Sequence, residues 1–420
     1  MPDISRKMPE NNGKITGDYE ELPGNNGQSS GTCGEMPGSP GETPVTDCRT
    51  NPDAEQSARP KSALIAMSGG VDSSVAAYIM KRDGYYCEGT TMRLYRNEDI
   101  GLGSFRTCCS QKDIEDAGEV AFRLDIPYEV LDLTVDFKKH IIDKFIRVYE
   151  AGGTPNPCID CNRYMKFDML LKVAEERGLS YVVTGHYARI QYDCERGLYL
   201  LRKAADPGKD QSYVLYMLGQ EQLARIKFPL GDIPKDETRR IAAEQGFVNA
   251  EKHDSQDICF VPDGDYVGFM EQYTGKTYPA GDFTDRDGNI VGHHRGAVHY
   301  TIGQRKGIGI SFNEPVYVTA KDMAKNTVSL GPENELYKRG LVAEDVNWIL
   351  PPDKSAIEVT ARTRYRQVEK KGTAYPLPGN RLKLIFDEPQ RAITVGQAVV
   401  LYDGDVVLGG GTISGTVDGI

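Results

Sequence analysis

Ala63-Leu-Ile-Ala-Met67, followed without a break by Ser68-Gly-Gly-Val-Asp-Ser-Ser74, decides how this chain is read. The five apolar residues form a buried strand, and the residues from about Ser73 to Lys81 have a helical pattern. Between them, Gly69 and Gly70 lack Cβ atoms and so let backbone N–H groups approach an anion. The hydroxyls of Ser68, Ser73 and Ser74 add donors, and the N-terminus of the helix adds partial positive charge. This is a phosphate loop, but not a Walker A motif, because the Lys and the spacing of G-x-x-x-x-G-K-[ST] are missing. A simple Ser/Asp-capped turn would need neither the paired glycines nor three hydroxyls.

Outward from the loop the same alternation continues. A strand is expected near Tyr86–Met92, then a helix with Ile114, Ala117, Val120, Ala121 and Leu124 on one face. The strand Tyr128–Leu133 precedes a helix with Phe137, Ile141, Phe145 and Val148 inward, and Tyr181–Thr184 is another short buried strand. Strands and helices alternating at these lengths imply an α/β fold with a doubly wound parallel sheet. After about Gln220 come an amphipathic stretch, Lys235–Gln245, a short segment Ser255–Val261 and Gly-rich turns. From Glu314 on, β-branched residues and turn signals dominate (Val316–Thr319, Ile357–Thr360, Arg381–Phe386, the Tyr402-Asp-Gly-Asp405 hairpin), predicting a small all-β barrel. The expected layout is an extension over 1–60, a nucleotide-binding domain over 61–225, a central domain over 226–312 and a barrel over 313–420.

Composition narrows the class. The 420 residues carry 50 Lys+Arg against 61 Asp+Glu, a formal net charge of −11, which argues against a surface coated in positive charge but not against a local basic groove. No apolar run approaches the roughly 18 residues that span a bilayer, so no membrane partner is expected. Residues 1–60 hold 8 Gly, 8 Pro, 10 acidic and 5 basic residues; such a segment buries too little to order itself and is expected to be disordered. It has neither the Arg-rich, acid-poor character of a transit peptide nor a secretory apolar core. Nine cysteines are too sparse for a disulfide scaffold, and the expected compartment is a reducing cytoplasm.

Thr154-Pro-Asn-Pro-Cys-Ile-Asp-Cys-Asn162 leads into a helix with Phe167, Leu170, Leu171 and Ala174 inward. The prolines fix an extended approach. Cys161 is expected near the helix N-terminus with Arg163 two residues on, a setting that favours the thiolate. A buried thiol pair is the plain alternative. A zinc site would need four ligands, and no second C-x-x-C or H-x-x-x-H occurs.

The Ser68–Ser74 loop resembles that of the PP-loop ATP pyrophosphatases, which implies adenylation of a substrate oxygen. Taken with Ala66–Ser74, Thr154–Phe167, Thr184-Gly-His-Tyr-Ala-Arg189, Lys209-Asp-Gln-Ser-Tyr213, Asp257-Ile-Cys-Phe260, Thr301-Ile-Gly-Gln-Arg-Lys-Gly307 and Arg362–Gln367, the chain from about Ser62 onward resembles the tRNA-specific 2-thiouridylases (the MnmA/TrmU family). The resemblance implies a sulfurtransferase that uses ATP with Mg²⁺ to replace O2 of the wobble uridine, in the tRNA anticodon loop, with sulfur.

The same resemblance implies the site. Ala66, Met67, Ser68, Gly69, Gly70, Val71, Asp72, Ser73, Met92 and Gly185 would contact ATP. Asn156, Pro157 and Cys158 would meet the target base with His186 beside it, and Lys209, Asp210, Gln211, Arg364, Tyr365 and Gln397 would contact tRNA. Cys259 would carry a persulfide from a donor (a cysteine desulfurase or a persulfide carrier), and Cys161 would release the sulfur through a transient disulfide with Cys259. These two lie 98 residues apart, so the fold must bring them within roughly 7 Å, Cα to Cα. Many members carry an acid where this chain has Cys158. An iron–sulfur site, a [4Fe-4S] cluster on Cys158, Cys161 and Cys259 that takes free sulfide, is therefore the alternative, and Cys108-Cys109 would be relays or packed thiols. Arg362, Arg364 and Arg366 alternate, and on a strand would share one face as a phosphate-binding stripe, joined by Arg305-Lys306.

Overall fold

The computed structural model describes residues 60–96, 111–252, 254, 258–261 and 264–418. The expected disordered extension, Cys108-Cys109 and Asp257 lie outside the described residues.

Strands β1 (Ser62–Ala66), β2 (Tyr86–Arg93), β3 (Tyr128–Asp132), β4 (Tyr181–Val183) and β7 (Ile226–Lys227) form an all-parallel sheet in the order β3-β2-β1-β4-β7. Leu64, Ile65, Val182 and Val183 are fully buried, as strands covered on both faces require. The chain winds one way from β1 to β3 and the other way from β1 to β4 and β7. The reversal beside β1 is a topological switch point, where the carboxyl ends of neighbouring strands open a crevice. The Ser68–Ser74 loop leaves β1 at that point. Helices Val71–Arg82 and Gln111–Arg123 fall where the periodicity puts them.

Two helices depart from simple α geometry. Thr134–Phe137, Lys138–Ile142 and Asp143–Glu150 run on as one, with the middle piece π-helical. Pro157–Asp160, Cys161–Met169 and Leu170–Glu176 do the same, with a π-helical segment that begins at Cys161. Hydrophobic spacing does not resolve the extra residue of a π turn, and such turns gather at functional sites.

The second half contains two β units. β12 (Tyr337–Trp348), β13 (Ile357–Arg362), β14 (Lys370–Leu377), β15 (Arg381–Arg391), β16 (Ala398–Asp403) and β17 (Val406–Val417) run in the order β12-β15-β14-β13-β16-β17, and β12 pairs with β17 to close a six-stranded barrel. Leu341, Leu382, Leu384, Phe386 and Leu401 fill it. The expectation that Val316–Thr319 belongs to this barrel is corrected. β10 (Tyr317–Asp322) and β11 (Thr327–Gly331) join β8 (Gly281–Thr284) and β9 (Ile290–His294) in a separate sheet, through a parallel β11–β8 pairing. Its core of Phe283, Tyr300, Val318 and Val328 is its own; strand propensity alone gives no sign of which sheet a strand enters. The hairpin β5 (Ala188–Asp193) and β6 (Leu198–Lys203), unmarked in the sequence reading, leaves the parallel sheet and meets the barrel at Val406↔Arg202.

Candidate active site

The phosphate corner is built by groups that hold the loop from behind. Gly69 has φ +71, and a Cβ there would stand 2.2 Å from the Asp113 carbonyl oxygen, so no other residue fits without rebuilding the turn. Its carbonyl accepts from Asn249 Nδ2 (3.1 Å) and Lys252 Nζ (2.9 Å), while Lys252 pairs with Asp113 and Asp116. The Ser73 and Ser74 hydroxyls donate to the Gly70 carbonyl (3.0 and 3.1 Å), and Ser73 Oγ accepts from the Ser68 amide (3.1 Å). The serines therefore close the turn and were not simply reserved for an anion. The first-turn amides of Val71–Arg82 have no acceptor within the helix. Gly185, beyond β4, presses on this turn: a Cβ there would lie 2.7 Å from the Ser73 nitrogen.

Asp72 faces a charged partner that sequence reasoning missed. Both its carboxylate oxygens accept from Lys235 Nζ (2.7 and 2.8 Å), and Tyr187 Oη donates to it at 2.7 Å. Lys235 also meets Asp254 at 2.8 Å, as do Lys209 (2.9 Å) and Arg239 (3.2 Å). Burial works against the Asp254 charge, yet Lys235 and Lys209 hold its carboxyl below the usual range. A signal was available: Lys235 opens the helix Lys235–Glu244, where a cation opposes the helix dipole and so needs a reason to be there.

The cysteine corner rests on apolar packing. Asn156 caps the helix by accepting from the Cys158 amide (3.2 Å), and Pro157 is its first residue. Cys161 therefore sits in the second turn and not at the N-terminus. Cys158 is exposed. Both Cys161 and Cys259 pack against one buried cluster that includes Leu94, Tyr95, Phe137, Ile141, Phe145 and Phe260. Phe260 stands edge-on to Phe137 and Phe145, with centroids 5.7 and 5.2 Å away, and Tyr95 Oη donates to the Cys259 carbonyl at 2.7 Å. Met92, at the end of β2, packs against this cluster and also against the β1–β4 layer. The fold thus gathers both thiols and Met92 at the carboxyl end of the sheet that carries the phosphate loop. Among the described residues no group of three or more His, Cys, Asp or Glu side chains could hold a metal ion.

The residues expected to touch RNA divide into two kinds. His186 is buried between Phe167 and Phe228, with Nδ1 2.7 Å from Thr184 Oγ1, and burial, helped by Lys166, drives its pKa well below the ordinary value. Asp210 is buried, with Arg362 Nη1 at 3.0 Å, and the Gln211 side chain accepts from the Tyr187 amide at 2.9 Å. Gln397 Nε2 donates to the Thr154 carbonyl at 2.9 Å and so ties the barrel to the cysteine loop. Arg364 donates to the Ala392 carbonyl (3.1 Å) and Thr394 Oγ1 (2.9 Å). Tyr365, Lys209, Arg305 and Lys306 reach solvent. The arginine stripe is corrected: β13 ends at Arg362, residues 363–367 turn, and the three arginines do not share a strand face.

A parallel sheet with a phosphate loop at its switch point, two cysteines packed on one apolar cluster and an appended barrel point to a nucleotide-using α/β enzyme class. Family models match along the chain in order: the tRNA methyl transferase HUP domain over residues 61–263, the tRNA methyl transferase PRC-barrel domain over 267–332 and the aminomethyltransferase beta-barrel domain over 338–413. A protein of Geotalea uraniireducens named tRNA-specific 2-thiouridylase MnmA is 47% identical over 361 residues, covering 85% of this chain and 96% of that protein. One of the same name from Moorella thermoacetica is 49% identical, covering 83% and 98%. The chain belongs to the tRNA-specific 2-thiouridylase family. Likeness to solved structures is looser: a 4-thiouridine synthetase in complex with RNA and ATP gives 21% identity and a TM-score of 0.30 over 51% of this chain and 50% of that one. No described helix is long and apolar enough to cross a membrane.

Proposed function

We propose that this chain is a tRNA-uridine 2-sulfurtransferase that activates the wobble uridine with ATP and replaces its C2 oxygen with sulfur. The observation that carries the reading is the shared cluster under Cys161, Cys259 and Met92, on the sheet that bears the phosphate loop.

A pyrimidine C2 carbonyl is a poor electrophile with a poor leaving oxygen. Attack of that oxygen on the α-phosphorus of MgATP expels pyrophosphate and leaves O2 bonded to AMP. Residues Ala66–Ser73 and Gly185 would cradle the phosphates, Met92 would pack against the adenine, and Asp72 would face the Mg²⁺ that arrives with the nucleotide. The Cys161 thiolate then attacks Sγ of a Cys259 persulfide, forming a Cys161–Cys259 disulfide and releasing HS⁻. Hydrosulfide adds at C2, the C2–O bond breaks, AMP departs and 2-thiouridine remains; a cellular dithiol reduces the disulfide. The sulfur that loads Cys259 comes already at the persulfide level, from a cysteine desulfurase or a persulfide carrier, in a reducing cytoplasm.

An anticodon-loop uridine is single-stranded and can be splayed into a pocket. Asn156, Pro157 and the exposed Cys158 would receive it. Lys209, Tyr365 and Arg364 would contact the RNA, while His186, Asp210, Gln211 and Gln397 would hold the receiving surfaces in place. Nucleoside mass spectrometry of tRNA incubated with the protein, MgATP, a persulfide donor and a dithiol tests this. Wild-type protein gives 2-thiouridine with AMP and pyrophosphate; Cys161→Ser and Cys259→Ser give none while still binding ATP. Wild-type levels of 2-thiouridine from Cys259→Ser would overturn the sulfur route.

A further inference from the structure

Lys209-Asp210-Gln211 touches two other parts of the molecule at once. The Asp210 carboxylate takes Arg362 of the barrel at 3.0 Å, together with the Ser212 amide (3.1 Å) and hydroxyl (3.0 Å). Gln211 exchanges two bonds with Tyr187, both 2.9 Å, and the Tyr187 hydroxyl donates to Asp72 in the phosphate turn at 2.7 Å. Beside this neutral path runs a charged one. Lys209 Nζ stands 2.9 Å from Asp254 Oδ2, Asp254 Oδ1 stands 2.8 Å from Lys235 Nζ, and Lys235 Nζ holds both Asp72 oxygens. The path runs inward: the Lys209 side chain is 38% exposed and that of Lys235 only 7%.

Asp254 divides its attraction among Lys209, Lys235 and Arg239. Among the described residues three cations, Lys209, Lys235 and Arg239, face two carboxylates, Asp254 and Asp72. Partial burial keeps these charges from being screened as they would be in bulk water. If Lys209 leaves, Asp254 draws Lys235 more strongly, and the hold of Lys235 on Asp72 loosens. An Asp72 carboxylate loosened from its ammonium is the form that can face a divalent cation.

We propose that Lys235 and Asp254 are positioning residues that couple RNA contact at Lys209 to the readiness of Asp72 for MgATP. A tRNA phosphate that captures Lys209 takes it from Asp254, and the shift passes through Lys235 to the phosphate turn. Coupling of this kind is reciprocal, so bound nucleotide must favour RNA by the same factor. The inference rests on the proposed function, in which Lys209 meets tRNA and Asp72 meets the nucleotide's Mg²⁺.

The test is a set of titration-calorimetry measurements on the full chain with Mg²⁺ and α,β-methylene-ATP, with and without tRNA that carries a wobble uridine. Wild type shows tRNA tightening the nucleotide by about tenfold, and the converse; in Asp254→Asn each ligand alone binds within about threefold of wild type while the coupling factor falls to about one. Asp254→Glu restores part of the coupling. A merely structural role would weaken both ligands and leave the factor unchanged. An unchanged factor in Asp254→Asn, or a factor of one in wild type, overturns the coupling. In the same preparation, absence of 2-thiouridine from wild type overturns the functional reading itself; 2-thiouridine made normally beside an unaltered factor overturns only the coupling.

Discussion

The phosphate corner and the cysteine corner lie at the same end of one sheet but are held by opposite kinds of force. At the first, a glycine turn is fixed by short polar contacts and ion pairs: Asn249 and Lys252 on Gly69, Lys235 and Tyr187 on Asp72. At the second, two thiols distant in sequence are gathered by aromatic packing around Phe137, Phe145 and Phe260. The difference suits the two tasks. Anion binding needs donors aimed in advance, and sulfur transfer needs a thiolate and the persulfide it attacks held on one packed surface, where hydrosulfide is released close to the base.

Perturbing each corner separately sharpens the contrast. The largest effect is expected from Phe260→Ala, which empties the centre of the aromatic cluster next to Cys259 and should cost about 3–5 kcal/mol of stability. Urea unfolding measures that loss, and thiolation should fall further than ATP binding does. Gly69→Ala is the mirror experiment. Its positive φ and the blocked approach to Asp113 predict an ATP affinity at least about tenfold weaker, about 1.4 kcal/mol, with the barrel intact by circular dichroism. If thiolation and ATP binding fall together in both variants, the two corners are not separately held.

His186 supplies the smallest and most graded test. It is buried as a neutral ring, so its folded pKa lies well below the ordinary value. Below about pH 6.5 the unfolded chain takes up a proton that the folded chain refuses, so this contribution to stability is present above that pH and is lost as pH falls, at about 1.4 kcal/mol per pH unit. Unfolding midpoints across pH 5–7 should show the slope in wild type, and His186→Phe should flatten it.

What was legible in the sequence follows the same division. The phosphate corner is mostly contiguous, and the strand, the glycines and the helix start at Val71 are readable because each is a local property. Asn249 and Lys252 were not read, because nothing local marks them as aimed at a loop more than 150 residues earlier; Lys235 is marked locally only as a cation out of place at a helix start, and its partner Asp72 is not. Pairing Cys161 with Cys259 came from resemblance to a family, since spacing cannot bring residues 98 apart together. The arginine alternation at 362–366 misled for a related reason. Period two describes a strand face only while the strand lasts, and β13 stops at Arg362, whose guanidinium turns to Asp210 and Glu369. Likewise β10 reads as a strand anywhere, and only its pairing with β11 puts it outside the barrel.

The most direct measurement follows the oxygen atom itself. With tRNA carrying ¹⁸O at C2 of the wobble uridine, one round of thiolation should place the ¹⁸O in the phosphoryl group of the AMP released, in an amount equal to the 2-thiouridine formed. Finding that label in water or in pyrophosphate, with AMP unlabelled, would contradict activation of the uridine by adenylation.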